Sequence, residues 1–305
     1  MDTIVTADRP DTGDRLSRVH RLASGRHVGY AEFGDPDGLP VIALHGTPGS
    51  RFMFALTDAG ARARGLRLIA PERPGYGLSD AHHVDTLAET AGDVKAIADA
   101  LGLERFALVG VSGGEPHAVA AAALLKDRVL QLALIGPVGP IADCGEHIRM
   151  SQLHHFLFAR MAPSHHAAGA FFAGLRMLVD WAPGVAYQLL TQRVTATDCD
   201  VLARPEVKAN LQATIREALR TGVEGPLQDL RLYCAPWNLD LAEFDVPALI
   251  WQGSDGTIVP ADAAYRLAGA LPHCRLEVIE GAGHYWVFAK FGLVLDAVRA
   301  AWGEP

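Results

Sequence analysis

Short, continuous apolar runs alternate with longer helical patterns in two parts of the chain, 18–140 and 236–305. The runs are four to six residues long, which is typical of strands covered on both faces in a parallel sheet. Their alternation with helices predicts a doubly wound, mostly parallel α/β sheet. An antiparallel hairpin over 18–33, turning at Ser24 and Gly25, is predicted to open the fold. The predicted strands of the parallel part lie at 41–44, 66–70, 106–109, 130–135, 248–251 and 276–279, and the predicted helices at 52–64, 86–101, 116–126, 261–270 and 285–302.

The alternation stops between 141 and 235. Apolar and aromatic residues recur there at helical spacing, with breaks at Pro163 and Pro183. We expect this segment to form a helical cap, or lid, over one edge of the sheet. The first 17 residues are polar and lack the apolar stretch of a secretion signal, so they are expected to form a polar tail.

The composition excludes several classes of protein. Of the 305 residues, 50% are apolar and 20% are charged, which is the balance of a globular protein. A net charge of −8, with no cluster of Lys and Arg, disfavours a nucleic-acid partner. The longest apolar run, 118–125, has eight residues, too few to cross a membrane.

The four cysteines are far apart in the sequence, so we expect reduced, mostly buried thiols in a cytoplasmic protein. Asp143, Cys144, Glu146 and His147 lie within five residues, but their spacing matches no common metal motif and indicates a surface turn. The expected partner is therefore a small-molecule substrate, with no metal or cofactor.

The most informative segment is a buried strand that leads directly into Gly110-Val111-Ser112-Gly113-Gly114, after which Pro116 opens a helix. A serine nucleophile needs such a tight turn, because the turn projects its hydroxyl above the sheet. The flanking glycines let neighbouring backbone pass close by, and the helix N-terminus directs its N–H groups at charge that develops beside the serine. Ser112 is therefore the predicted nucleophile.

The segment His45-Gly46-Thr47-Pro48 follows an earlier strand. Acyl transfer needs two N–H donors for the developing oxyanion, one from the residue after the nucleophile and one from a neighbouring loop. Gly113 supplies the first. Since Pro48 has no N–H, Thr47 is the predicted second donor. His45 follows its strand too closely to approach Ser112 freely, so we expect it to shape the loop and not to act as a base.

A loop that ends in His284 follows the last predicted strand. The carboxyl edge of a parallel sheet is where sites form in such folds. Of the 13 histidines, His284 is the predicted general base.

These segments resemble the α/β-hydrolase superfamily, particularly its bacterial members with a His-Gly-Thr-Pro-Gly-Ser loop. Residues 71–79 are close to that family's Arg-Pro-Gly-Tyr-Gly-x-Ser turn, and residues 253–260 are close to its Gly-x-x-Asp-x-x-Val-Pro motif. The resemblance covers about 18–140 and 236–303, and it implies the α/β-hydrolase fold with serine hydrolase activity. Ser112 at the turn disfavours haloalkane dehalogenase and epoxide hydrolase chemistry, because those families use Asp there.

The acid of the predicted triad is displaced. The family's spacing places it at Gly256, and the carboxylate of Asp255 comes one residue early. We predict that Asp255 still reaches His284, because Gly256 can adopt backbone angles that turn the preceding side chain toward the site. The alternatives are that Asp143 or Glu146, after the 130–135 strand, serves as the acid, or that there is none.

The sequence thus predicts a serine hydrolase that cleaves an ester, thioester or lactone of a small, hydrophobic substrate through an acyl-enzyme. C–C bond hydrolysis or perhydrolysis would use the same residues. A ligand-binding protein that keeps the fold without turnover is the alternative from another class, and the displaced acid is its only support.

Overall fold

The computed structural model describes residues 14–139, 164–192, 194–259 and 261–303. The strands are β1 (Arg18–Arg21), β2 (His27–Gly34), β3 (Leu39–Leu44), β4 (Leu66–Pro71), β5 (Phe106–Val111), β6 (Val129–Ile135), β7 (Ala248–Gly253) and β8 (Cys274–Ile279). They form one sheet in the order β1-β2-β4-β3-β5-β6-β7-β8. β2 is antiparallel to β1 and β4, and every other neighbouring pair is parallel. The predicted doubly wound, mostly parallel sheet is confirmed.

Helices cover both faces of this sheet and one of its edges. In chain order they are α1 (Asp58–Arg62), α2 (Leu87–Ala100), α3 (Glu115–Leu124), α4 (His165–Trp181), α5 (Pro183–Thr191), α6 (Ala196–Leu202), α7 (Pro205–Ala218), α8 (Glu224–Tyr233), α9 (Ala261–Ala270) and α10 (Val287–Ala300). The helix predicted at 52–64 is instead a 3₁₀ helix, Arg51–Thr57, followed by the short α1.

Two apolar cores lie on opposite faces of the sheet. Successive strand residues point to opposite faces, so Leu108 packs with α2, α3 and α9 while Val109 packs with the 3₁₀ helix, α1 and α10. Both side chains are fully buried. The continuous apolarity of β5, which predicted a strand covered on both faces, follows from its place in the middle of the sheet.

Helices α4 to α8 form a separate layer with its own apolar cluster. Phe172, Leu175 and Val179 of α4 pack there with Ile215 of α7 and Leu230 of α8. These helices lie within the segment predicted as a cap, 141–235. Residues 140–163 lie outside the described part of the chain, and the domain boundaries remain a prediction.

No helix in the described part of the chain has the length and apolarity needed to cross a membrane. Cys199, Cys234 and Cys274 form no disulfide in the described part of the chain. Cys199 is exposed, and Cys234 and Cys274 are half-buried, so the expectation of mostly buried thiols is wrong for the described cysteines. Cys144, Asp143, Glu146 and His147 fall outside the described residues.

Strand register gathers the predicted functional loops at one edge of the sheet. Leu44 pairs with Gly110, Val111 with Ile135, and Ile135 with Trp251. The carboxyl ends of these strands therefore lie side by side, and the loops that follow them meet there.

Candidate active site

Ser112 occupies the strained turn that its sequence context predicts. Its φ angle is 51°, a left-handed conformation that non-glycine residues rarely adopt and that is common at functional sites. The turn is tightly packed: a Cβ at Gly110 would lie 2.8 Å from Ala118 Cβ and 2.9 Å from Glu115 Cα. Only glycine at 110 lets the strand and α3 approach this closely, so the strand–turn–helix geometry holds the Ser112 hydroxyl at the sheet edge.

Ser112, Thr47, Gly113 and His284 line the same cavity, which has a volume of about 150 Å³. The structure thus brings together four of the five predicted site residues. Gly46 lies under the turn, with its Cβ position 3.4 Å from Ser112 Cβ. The remaining lining of the cavity is mainly apolar, with Met53, Val111, Ile135, Phe172, Leu211 and Phe288 among its residues.

The Thr47 hydroxyl is occupied by hydrogen bonds within the protein, so it is not available to bind substrate. Its hydroxyl donates to Asp229 Oδ2 at 2.5 Å and accepts from Arg73 Nη2 at 2.9 Å. It also lies 2.6 Å from Tyr233 Oη, which donates to the Gly113 carbonyl at 2.5 Å. Side-chain contacts thus hold both predicted donor residues in place beside the cavity.

His45 lies within the loop that it was predicted to shape. It is fully buried, and its Nδ1 lies 2.8 Å from the Gly46 carbonyl. Its ring packs edge-on against Tyr76 at a centroid distance of 4.9 Å. Burial, followed by the positive charge of Arg73, lowers the pKa of His45 well below its usual value. These contacts hold the His45 ring within the loop.

One nitrogen of the His284 imidazole, Nδ1, has no hydrogen-bond partner among the described residues. This nitrogen is buried. A Cβ built on Gly136, which follows β6, would lie 3.0 Å from this nitrogen. Burial lowers the pKa of His284 to about 4, so the ring is neutral at pH 7 and can accept a proton.

The Asp255 carboxylate does not reach His284. This corrects the expectation that the backbone angles of Gly256 would turn that side chain toward the site. The Asp255 side chain is exposed, and its Oδ1 accepts from Ser254 Oγ at 2.9 Å. The Asp255 amide donates to the Ala282 carbonyl at 2.9 Å, which fixes the loop backbone so that the side chain points to solvent. Gly256 allows a turn here, but the turn does not rotate the carboxylate inward.

A buried polar cluster that the sequence analysis did not predict supports the loop after β3. Asp229 of α8 accepts from Arg73 Nη2 at 2.6 Å and from Tyr76 Oη at 2.6 Å, and lies 3.1 Å from His117 Nε2. Burial by itself would raise the pKa of Asp229, but Arg73 and His117 hold it well below its usual range. Arg73 and Tyr76 belong to the recognised turn at 71–79, whereas nothing in the sequence connects Asp229 with them.

Glu115 is a second residue that the sequence reasoning passed over. It lies three residues after Ser112, is fully buried, and accepts from the Gly139 amide at 3.0 Å through Oε2. Burial raises its pKa to about 8, so the carboxyl is protonated at neutral pH. It connects α3 to the loop after β6. A charged residue immediately before the apolar helix predicted at 116–126 was the available signal.

Among the described residues, no group of three His, Cys, Asp or Glu side chains is placed to hold a metal ion. The site brings together Ser112, His284, Thr47 and Gly113 beside a mainly apolar cavity.

Comparison with known proteins agrees with this geometry. The model of the "Alpha/beta hydrolase family" matches residues 41–296. The chain is 28% identical to a non-heme chloroperoxidase from Streptomyces lividans, over 86% of this chain and 91% of that protein. It is 27% identical to a 2-hydroxy-6-oxo-2,4-heptadienoate hydrolase from Pseudomonas putida, over 87% and 88%.

Solved structures share the fold. An enol-lactonase from Burkholderia xenovorans superposes with a TM-score of 0.71 at 21% identity, covering 94% of this chain and 100% of that one. An esterase from Exiguobacterium antarcticum superposes with a TM-score of 0.69 at 20% identity, covering 93% and 99%. Since the family model spans most of the chain, the protein is an enzyme of the alpha/beta hydrolase family.

Proposed function

We propose that the protein is a serine hydrolase that cleaves a neutral carboxylic ester, thioester or lactone with an apolar acyl or alcohol group. The observation that carries this proposal is Ser112 in a left-handed turn at the end of β5, lining one apolar cavity with a neutral His284. An exposed serine hydroxyl, a proton acceptor and backbone donors at one edge are the parts that acyl transfer requires.

In the proposed reaction, Ser112 Oγ attacks the substrate carbonyl while His284 takes the hydroxyl proton. The N–H groups of Thr47 and Gly113 stabilise the oxyanion of the tetrahedral intermediate. His284 then returns the proton to the leaving group, which departs and leaves an acyl group on Ser112. Water, activated by His284, hydrolyses this acyl-enzyme and restores the serine.

We propose that Ser112 and His284 work as a pair. The family's acid position is Gly256, Asp255 points to solvent, and His284 Nδ1 has no partner among the described residues. A carboxylate on that nitrogen normally fixes the tautomer and stabilises the imidazolium that forms in the transition state. Without it we expect slow turnover compared with that of a complete triad.

The cavity supports an uncharged substrate. No Asp, Glu, Lys or Arg is among the described residues that line it. A dienoate, the substrate in the name of the Pseudomonas putida relative, carries a carboxylate, and burying an unpaired carboxylate in an apolar cavity is strongly unfavourable. This favours ester chemistry over C–C hydrolysis of such acids.

The test is a series of p-nitrophenyl esters of increasing acyl length, with the wild-type protein, Ser112→Ala and His284→Ala. We expect hydrolysis by the wild type, with a preference for apolar acyl groups that fit the cavity, and a loss of several orders of magnitude in kcat in both variants. A fluorophosphonate should label wild type and not Ser112→Ala. An unlabelled, inactive wild type that still binds apolar ligands would instead show a binding protein.

A further inference from the structure

A carboxylate from the cap holds the backbone of the histidine loop. Asp198 of α6 is only 1% exposed. Its Oδ2 accepts from the His284 amide at 2.9 Å, and its Oδ1 accepts from the Tyr285 amide at 2.7 Å. Both carboxylate oxygens are therefore committed to two consecutive N–H groups, one of them belonging to the predicted general base. Charge-assisted bonds of this kind are among the stronger hydrogen bonds in proteins.

The loop is shaped to receive this carboxylate. A Cβ at Gly283 would overlap Asp198 Oδ2 and the hydroxyl of Thr195, so only glycine leaves room for the side chain. Thr195 also caps α6, accepting from the Asp198 amide at 3.1 Å. Next to Asp198, Thr197 Oγ1 donates to the Gly281 carbonyl at 2.8 Å. Residues 281–285 are thus attached to the start of α6 at three points.

The imidazole of His284 has no matching anchor among the described residues. Nδ1 makes no hydrogen bond to any of them, so none of them fixes the orientation of the ring through that nitrogen. Its place depends on where the backbone of residue 284 is held and on the apolar packing around it. Asp198 makes no hydrogen bond to Nδ1; its two oxygens accept from the backbone amides of residues 284 and 285.

We propose that Asp198 is the positioning residue for His284, holding the base at Ser112 through the backbone of the loop. This inference rests on the proposed serine hydrolase function. It also gives the cap a part in catalysis, since the base is held in place by α6 and would lose its support if α6 left the sheet edge.

The primary test compares Asp198→Asn with Asp200→Asn, which alters an exposed carboxylate on the same helix. Asparagine keeps the size of the side chain, but it presents an NH₂ group to one of the two amides. A displaced base slows the chemical step more than it weakens binding, so we expect kcat to fall about 10- to 100-fold with KM within about 2-fold. The rate of fluorophosphonate labelling should fall with kcat, while Asp200→Asn should match the wild type in both measurements.

A double-mutant comparison separates positioning from a general structural effect. If Asp198 acts through His284, Asp198→Asn should lower the labelling rate in the wild-type background and change it less than about 2-fold in the His284→Ala background. Equal losses in the two backgrounds, or a wild-type kcat in Asp198→Asn, would overturn the inference.

Gly283→Ala provides a second test that holds even if Asp198→Asn fails to fold. The added methyl displaces the same carboxylate while leaving its charge in place, so kcat should fall with little change in KM. Wild-type kcat in Gly283→Ala would contradict the inference. Failure of the underlying function would look different: either Ser112→Ala would retain the wild-type rate, or the wild type itself would be inactive and unlabelled.

Discussion

Asp229 on α8 and Arg73 after β4 form a buried ion pair in which Oδ2 lies 2.6 Å from Nη2 and both side chains are at most 5% exposed. Arg73 also donates to the carbonyls of His45 and Gly46. The pair therefore joins α8 to the loop that carries the proposed oxyanion donor. Helix α8 thus contributes to the architecture of the site.

Asp229→Asn should lower the free energy of unfolding by about 3–5 kcal/mol, because it leaves the Arg73 charge buried without its partner. Urea unfolding of wild type and variant measures this difference. Asp180→Asn, which changes an exposed carboxylate on α4, serves as the control and should leave the stability unchanged. A loss below about 1 kcal/mol in Asp229→Asn would show that the pair is not needed to hold the cap.

Thr47 should affect stability through its hydroxyl and catalysis through its backbone. Thr47→Val removes the hydroxyl from three polar neighbours and should cost about 1–3 kcal/mol of stability, whereas Thr47→Ser should cost much less. Thr47→Pro removes the N–H and should lower kcat by about 10²-fold or more. Similar, small losses of kcat in the valine and proline variants would remove Thr47 from the oxyanion site.

The acid position can be tested by removing the three candidate carboxylates in turn. Asp255→Asn should lower kcat only a few-fold, because this side chain bonds to Ser254 and faces solvent. Loss of a true triad acid costs roughly 10⁴-fold. A drop of that size in Asp143→Asn or Glu146→Gln would assign the acid to the segment after β6 and contradict the proposed pair.

The pH dependence of kcat/KM reports the protonation of the base in the free enzyme. With the pKa of His284 lowered to about 4, the ring is neutral above that pH, so kcat/KM should rise through about pH 4 and stay high at neutrality.

Gly256→Asp adds a carboxylate at the family's acid position, which favours the imidazolium. It should move the rise to higher pH and increase kcat. Gly256→Asn, with similar size and no charge, should do neither.

Glu115 should make the protein less stable as the pH rises. Its pKa is about 8 in the folded protein and about 4.3 in an unfolded chain. Between these values the unfolded state binds fewer protons, so the free energy of unfolding falls by roughly 1.4 kcal/mol per pH unit from this group. The contribution is fully present below about pH 4 and lost above pH 8.

Glu115→Gln removes this titration. Thermal unfolding from pH 5 to pH 9 should therefore show the variant gaining stability over wild type as the pH rises. Glu104→Gln, on an exposed residue, is the matched control and should follow the wild type at every pH. Parallel curves for Glu115→Gln and wild type would show that the Glu115 carboxyl does not titrate in this range.

The sequence by itself determined where the strands lie along the chain, that their sheet is mostly parallel, and the position of the proposed nucleophile. Fully buried parallel strands must be apolar throughout, so β5 and its neighbours are visible as short continuous runs. Ser112 is visible because its turn needs glycines at close approaches and a strand before it and a helix after it. These requirements are local, so each of them is visible in a few consecutive residues of the sequence.

Only the tertiary structure decided which side chains support the site. Asp198 and Asp229 lie in cap helices 86 and 156 positions from His284 and Arg73, and no local pattern distinguishes them from solvent-facing carboxylates on an amphipathic helix. Asp255 shows the reverse case, since it lies beside the family's acid position and yet points away. The direction of a side chain depends on the backbone bonds of its loop, here those of Asp255 to Ala282, and such pairings form only when distant segments pack together.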